Sequence, residues 1–152
     1  MPFIQTKFFG DLEYSPASAY CFPSGLPGFE EQLNFLFLSM PQREPLLFMQ
    51  SMSSRNLCFV LLPILVADPA YHLELASEDL TMLGLPTNFI PRIGEELLCA
   101  AMVGAGPNGP SANLMAPVVV NLKSRMGLQV IRADSGYSHQ HYLLSEEAAI
   151  PC

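Results

Sequence analysis

Residues 97–122 read LLCAAMVGAGPNGPSANLMAPVVVNL, the longest stretch of the chain without a charged side chain. A helix of about 20 such residues would cross a bilayer. The interior of this stretch forbids it. Pro107, Pro110 and Pro117 each remove a backbone donor, and Gly104, Gly106, Asn108 and Gly109 favour turns over helix. What remains is two short apolar runs, Leu97–Val103 and Pro117–Asn121, separated by turn residues, and that pattern reads as strands. The same rhythm recurs along the chain in Phe3–Phe9, Ala19–Phe22, Phe35–Leu38, Leu46–Met49, Leu57–Leu62, Ala70–Leu75 and Leu128–Arg132. Helices usually need about ten or more periodic residues, and the 14 prolines work against them. One segment, Ser77–Leu83, reads as helical: Ser77 is placed to cap it, Glu78 and Asp79 suit its positive end, and Gly84 and Pro86 stop it. The expected fold is mainly all-β, a small closed or partly open antiparallel β-barrel-like domain over residues 1–138 with one short helix near 77–84. A polar, disordered C-terminal tail is expected over 139–152.

Composition narrows the function classes. The 152 residues carry 7 Lys+Arg against 14 Asp+Glu, a formal net charge of -7, and 50% are hydrophobic while 14% are charged. That is ample material for one core and incompatible with wholesale disorder. The basic residues are scattered from Lys7 to Arg132 rather than clustered, so direct nucleic-acid binding is not expected. The other apolar block, Asn56–Ala67, is cut by Pro63, and the N-terminus has neither a basic region nor an apolar core of the secretory type. The expectation is a cytoplasmic protein with no membrane segment. Cys21, Cys58, Cys99 and Cys152 lie far apart without metal-ligand spacing, and the first three sit in apolar runs where a thiol behaves as a small hydrophobe.

Motifs that would carry catalysis or cofactor binding fail on context. Gly104-Ala105-Gly106-Pro107-Asn108-Gly109 fits the dinucleotide fingerprint Gly-x-Gly-x-x-Gly, which works by opening a helix onto a pyrophosphate. Here Pro107 removes an amide and no periodic helix follows, so the segment reads as a turn between strands. His139 and His141 share one face of an extended segment and could chelate a metal with Asp134, but two histidines in a polar tail are more simply solvated. His72 alternates with apolar residues and reads as a solvent-facing strand residue. No serine sits in a Gly-x-Ser-x-Gly turn. The adjacent pairs Glu30-Glu31, Glu95-Glu96 and Glu146-Glu147 face different ways, as solvated carboxylates do. No catalytic residue, cofactor or metal site is expected, and the chain does not read as an enzyme.

Several segments with no catalytic logic remain: Gly25-Leu26-Pro27-Gly28-Phe29, the pair Gln50-Ser51, the run Ser111-Ala112-Asn113-Leu114-Met115-Ala116-Pro117, Asn121, and Gly127-Leu128-Gln129-Val130. In order and spacing they resemble the bacterial flagellar assembly factor FliW family, from about Phe3 to Tyr137, with Ala112–Asn121 the most specific part. The resemblance implies a small β-barrel-like cytoplasmic protein, monomeric on its own and without a cofactor. It further implies binding and antagonism of the carbon storage regulator (CsrA), a dimeric RNA-binding repressor of translation, with flagellin as the second partner that releases it. A surface of net charge -7 suits that role, because it attracts a basic RNA-binding partner and repels phosphate. The residues expected on the partner surface are Gln50, Asn56, Phe59, Glu74, Glu78 and Asn113. For Gln50, Asn56 and Asn113, a hydrogen-bonded clamp is the competing reading. Glu44 and Asp79 are further candidate charges. The alternatives are a β-barrel that binds an apolar small molecule, a flagellin-specific chaperone without regulator binding, and a hydrolase with an unrecognised nucleophile.

Overall fold

The computed structural model describes residues 2–132 and 134–143. Eleven strands and two short α-helices follow one another as β1 (Phe3–Thr6), β2 (Gly10–Glu13), β3 (Ala19–Cys21), β4 (Asn34–Ser39), β5 (Leu47–Ser51), β6 (Cys58–Pro63), α1 (Ile64–Ala67), α2 (Ser77–Met82), β7 (Leu97–Gly106), β8 (Gly109–Ala112), β9 (Val118–Asn121), β10 (Gly127–Gln129) and β11 (His141–Tyr142). β1 and β2 form a separate hairpin, and the other nine strands form one sheet. Its order is β10-β9-β7-β6-β5-β4-β3, with β8 bonded to β7 and β11 to β8, and every ladder is antiparallel.

Among the described residues, no ladder closes this path into a barrel. Its two ends meet at a single bridge between Cys21 and Met126, where the Cys21 amide donates to the Arg125 carbonyl at 2.9 Å. Eight of the nine apolar runs contain strands, as their spacing predicts. Ala70–Leu75 does not: after Pro63 ends β6 and α1 begins, the chain crosses as an irregular strap without a ladder partner. Helix α1 was not expected. Pro63 sits at its N-cap with φ -50°, which turns the chain out of the strand and into a single helical turn. Helix α2 lies where the sequence places it, but Ala76 rather than Ser77 is its N-cap, and the Asp79 carboxylate accepts the Ala76 N–H at 2.9 Å. A short strand follows the expected boundary at 138/139: His141–Tyr142 pairs with Ala112–Ser111. Residues 144–152 of the expected tail lie outside the described residues.

The core explains the uncharged stretch. Along β7, Leu97, Cys99 and Ala101 enter one apolar cluster with Ile64, Leu83, Ala112, Leu114, Val119 and Val130. The intervening Leu98, Ala100 and Met102 enter a second, with Phe22, Leu26, Phe35, Met49, Leu61, Val118 and Val120. Successive strand residues face opposite sides, so β9 and the Leu97–Met102 part of β7 are covered on both faces and read as unbroken apolar runs. The Leu97–Gly106 and Gly109–Ala112 strands turn through Pro107-Asn108, with Gly109 at φ +101°. The dinucleotide-like fingerprint is thus a hairpin turn. Gly127 lies against Phe22 and Val120, where a Cβ would come within 2.6 Å of Val120 and 2.7 Å of the Phe22 ring.

Amide side chains tie the connections to this core. Asn121 donates to the Leu83 carbonyl at 2.8 Å and accepts the Lys123 N–H at 2.9 Å, joining β9 to the end of α2. Asn113 accepts the N–H groups of Met115 and Ala116, both at 3.1 Å. Gln50 is fully buried, and its amide nitrogen faces the carbonyls of Ser51, Ser54 and Arg55 at 3.0, 3.3 and 3.4 Å. It holds the loop between β5 and β6 from beneath. Gln50→Glu would turn these attractions into a carboxylate facing three carbonyl oxygens. The expected loss is about 3 kcal/mol of folding stability, the scale of a buried uncompensated charge, read by urea unfolding; a loss under about 1 kcal/mol contradicts the clamp.

Burial pushes the Cys58 thiol up to about 11 and the Cys99 thiol up to about 12. Since the thiolate is the reactive form, native protein at neutral pH is expected to modify these two at least about a hundredfold more slowly than unfolded protein does. Thiol-reagent kinetics with and without denaturant check this, and rapid labelling of native Cys58 contradicts it.

Candidate partner-binding surface

The loop between β5 and β6 is a compact polar network. The Ser51 hydroxyl donates to Gln32 Oε1 and accepts the N–H groups of Ser53 at 3.1 Å and Ser54 at 2.9 Å. The Ser53 hydroxyl also reaches Gln32 Oε1, at 2.9 Å. With Gln50 beneath it and Gln32 beside it, the loop presents Arg55 and Asn56 to solvent. Rigid support under exposed side chains is what a recognition loop requires, because little ordering cost is left for binding.

An aromatic pair flanks the loop. Phe59 lies half-buried on β6, and its ring meets Phe29 edge-on at 5.3 Å. Phe29, 39% exposed, tops the tight turn Phe22–Glu30. That turn depends on Gly25, whose φ is +63° and where a Cβ would lie 2.7 Å from the backbone of Phe29 and Glu30. At the same turn the Gly28 N–H donates to the Glu30 carboxylate at 2.9 Å and holds it below the usual carboxylate range, so it stays charged.

The acidic residues lie elsewhere. Glu74 is on the irregular strap after α1, whose neighbours Leu73 and Leu75 pack on the first cluster, whereas Phe59 packs on the second. Arg132 fixes the strap, with its guanidinium on the Glu74 carbonyl at 3.0 Å and 3.5 Å from the carboxylate. The strap is pinned further by stacking of Tyr71 on Tyr137 at 4.3 Å, by Tyr71 donating to the Leu114 carbonyl at 2.8 Å, and by the His72 N–H donating to the Tyr137 hydroxyl at 2.9 Å. Glu78 follows in the first turn of α2 and is exposed, as is Glu44 beyond β4.

The six expected residues therefore separate into three groups. Gln50 is a buried clamp and Asn113 a part-buried one. Asn56 and Phe59 lie at the loop and its aromatic flank. Glu74 and Glu78 form an acidic edge over the other face of the sheet. Asp79, the further candidate, is engaged in capping α2. Sequence reasoning missed Phe29 as part of the aromatic flank, although its place after Gly28 in an exposed turn marked it. Among the described residues, no group of three His, Cys, Asp or Glu side chains is arranged to hold a metal ion. His72, expected on a strand, is exposed on the strap, and His141 is in β11. No helix among the described residues is long and apolar enough to cross a membrane.

Comparison with known proteins gives a consistent family assignment. The family model described as FliW protein matches residues 3–143. A flagellar assembly factor FliW from Geobacillus kaustophilus is 33% identical over 149 residues, covering 96% of this chain and 98% of the relative. The protein of that name from Bacillus subtilis is 31% identical over 139 residues, covering 91% and 94%. A crystal structure of the flagellar assembly factor FliW superposes with a TM-score of 0.81 at 28% identity, covering 93% of this chain and 96% of the other. With strand order, turn glycines and amide clamps all inside the matched region, the chain belongs to the FliW family.

Proposed function

We propose that this chain is a flagellar assembly factor that works by protein–protein binding. It engages the carbon storage regulator (CsrA) and lifts its translational repression, and flagellin titrates it, so that flagellin synthesis follows filament assembly. The observation that carries the reading is the family match over residues 3–143, with relatives named as flagellar assembly factors along nearly their whole length. The surface supports it: a net charge of -7, exposed Glu74 on the pinned strap and exposed Glu78 in the first turn of α2, and a hydrogen-bonded loop presenting Asn56 beside the Phe29–Phe59 pair. Opposite charge at a partner surface raises the association rate and excludes phosphate-bearing competitors. A cytoplasmic, monomeric, non-catalytic protein without cofactor, which touches neither nucleic acid nor membrane, completes the proposal.

The competing reading, an apolar ligand held inside the sheet, meets a filled interior: Phe22, Phe35, Met49 and Leu61 are fully buried there, with Phe22 meeting Phe35 edge-on at 5.5 Å.

Calorimetric titration with the carbon storage regulator of the same genome, at low salt and at about 0.15 M, tests the proposal. The expected result is binding that weakens with salt, with Glu74→Lys and Glu78→Lys each losing about tenfold and Asn56→Ala losing affinity without loss of thermal stability. Absence of binding at both salt concentrations overturns antagonism of the regulator by this chain.

A further inference from the structure

Strand β6 is bonded along only part of its second edge. Its ladder to β5 runs from Cys58 to Leu61, but its ladder to β7 covers only Leu61–Pro63, opposite Ala100–Met102. Beyond Met102, β7 leaves β6 and pairs through Val103–Gly106 with β8. The sheet therefore forks, with Cys58–Val60 on one prong and Val103–Gly106 on the other.

The direction of the backbone groups at the fork follows from the bonds around it. The Ser51 N–H donates to the Leu57 carbonyl at 2.9 Å, and bonded pairs alternate along an antiparallel ladder. Phe59 thus bonds across to Met49, while the N–H and C=O of Cys58 and the N–H of Val60 point away from β5. On the other prong the Asn113 N–H donates to the Met102 carbonyl at 2.9 Å. Gly104 and Gly106 therefore bond to β8, and Ala105 points its N–H and C=O away from it. Among the described residues, none of these outward-pointing groups of Cys58, Val60 and Ala105 has a hydrogen-bond partner. Soluble proteins blunt open strand edges with charge, proline or a bulge, because such an edge pairs with any extended chain. Cys58-Phe59-Val60 carries neither a charge nor a proline, and its residues are only half-buried. The side chains of Cys58 and Val60 share one side of the strand, where Phe8, Phe9, Met40 and Phe48 line an open hollow of about 320 Å³ with them.

We propose that an extended segment of a partner protein adds to the Cys58–Val60 edge as a further strand, its backbone bonding Cys58 and Val60 and an apolar side chain seated beside Phe48. The unpaired backbone groups select the occupant. Donors and acceptors in a row call for an extended chain, since a helix has already satisfied its own. A chain of net charge -7 repels its own copy, which favours a different protein over a second molecule of this one. The edge begins two residues after Asn56, and the inference rests on the partner-binding reading of that loop only for the partner being a protein.

The test reads single-amide hydrogen exchange in the full isotope-labelled chain, with two synthetic probes about seven residues long, roughly 23 Å of strand. One is Thr-Val-Thr-Val-Thr-Val-Thr, and the other is the same sequence N-methylated throughout, which removes its donors. In the free protein the Cys58 and Val60 amides are expected to exchange at least about tenfold faster than the Phe59 amide between them. The first probe is expected to slow both about tenfold or more, and the methylated copy to leave them unchanged. Val60→Pro removes one donor where proline is tolerated, its N–H facing away from the β5 ladder. It is expected to weaken binding about tenfold while Phe59 stays protected. Cys58 and Val60 amides as slow as Phe59 in the free protein overturn the proposal. So does protection by neither probe or equally by both, or protection that grows with protein concentration alone, which would assign the edge to a second copy. The probes contain nothing of the regulator, so their failure leaves its calorimetric titration untouched.

Discussion

Strand β9 and the Leu97–Met102 part of β7 are covered on both faces. Cys99 and Val119 pack into one apolar cluster, while Ala100, Val118 and Val120, their neighbours in the chain, pack into the other. Burial of both faces is what makes one sheet the centre of two cores, and each core must then be covered by something else. The curled strands β3–β6 supply the second core with Phe22, Phe35, Met49 and Leu61. The helices, the strap and the returning chain after β10 supply the first with Ile64, Leu83 and Val130. With each buried methylene contributing roughly 0.8 kcal/mol, this two-sided arrangement supplies the driving force that the sparse helical content cannot.

Rigidity of the connections follows from the same constraint. A loop that crosses a buried sheet leaves backbone polar groups near apolar surface, and each must be paired. Gln50, Asn113 and Asn121 do this with side-chain amides, which is why amides stand beside apolar runs throughout the chain. The surfaces left over are therefore presented on a stiff frame. The acidic edge at Glu74 and Glu78 and the Asn56 loop with its aromatic flank are set on different supports and differ in charge.

The strands of this fold were legible because periodicity and turn punctuation survive in a single sequence. Leu97–Val103 and Pro117–Asn121 are strands where their composition predicts them, and Pro107-Asn108 is a turn despite its resemblance to a phosphate loop. Ala70–Leu75 was not legible. Its alternation has the strand period, but no neighbouring strand offers it a ladder, and the packing of Leu73 and Leu75 alone produces the same spacing. Whether the sheet closes was also beyond pattern, because closure depends on how the Cys21 and Met126 ends meet in space. Of the site, exposed Asn56 and Glu78 could be anticipated from polar character at loop and helix start. Gln50 could not be separated from them, since an amide that clamps carbonyls and an amide that faces a partner are the same letter.

Native-state hydrogen exchange resolved to single amides tests the two-sided core most directly. The account predicts that amides of Leu98–Met102 and Val118–Val120 exchange only through global unfolding, with the highest opening free energies in the molecule. The Phe3–Glu13 hairpin, held outside the main sheet, is predicted to exchange through local opening several kcal/mol lower. Hairpin amides as protected as those of β7, or exchange of β7 and β9 through openings that leave β4 and β5 intact, would contradict it.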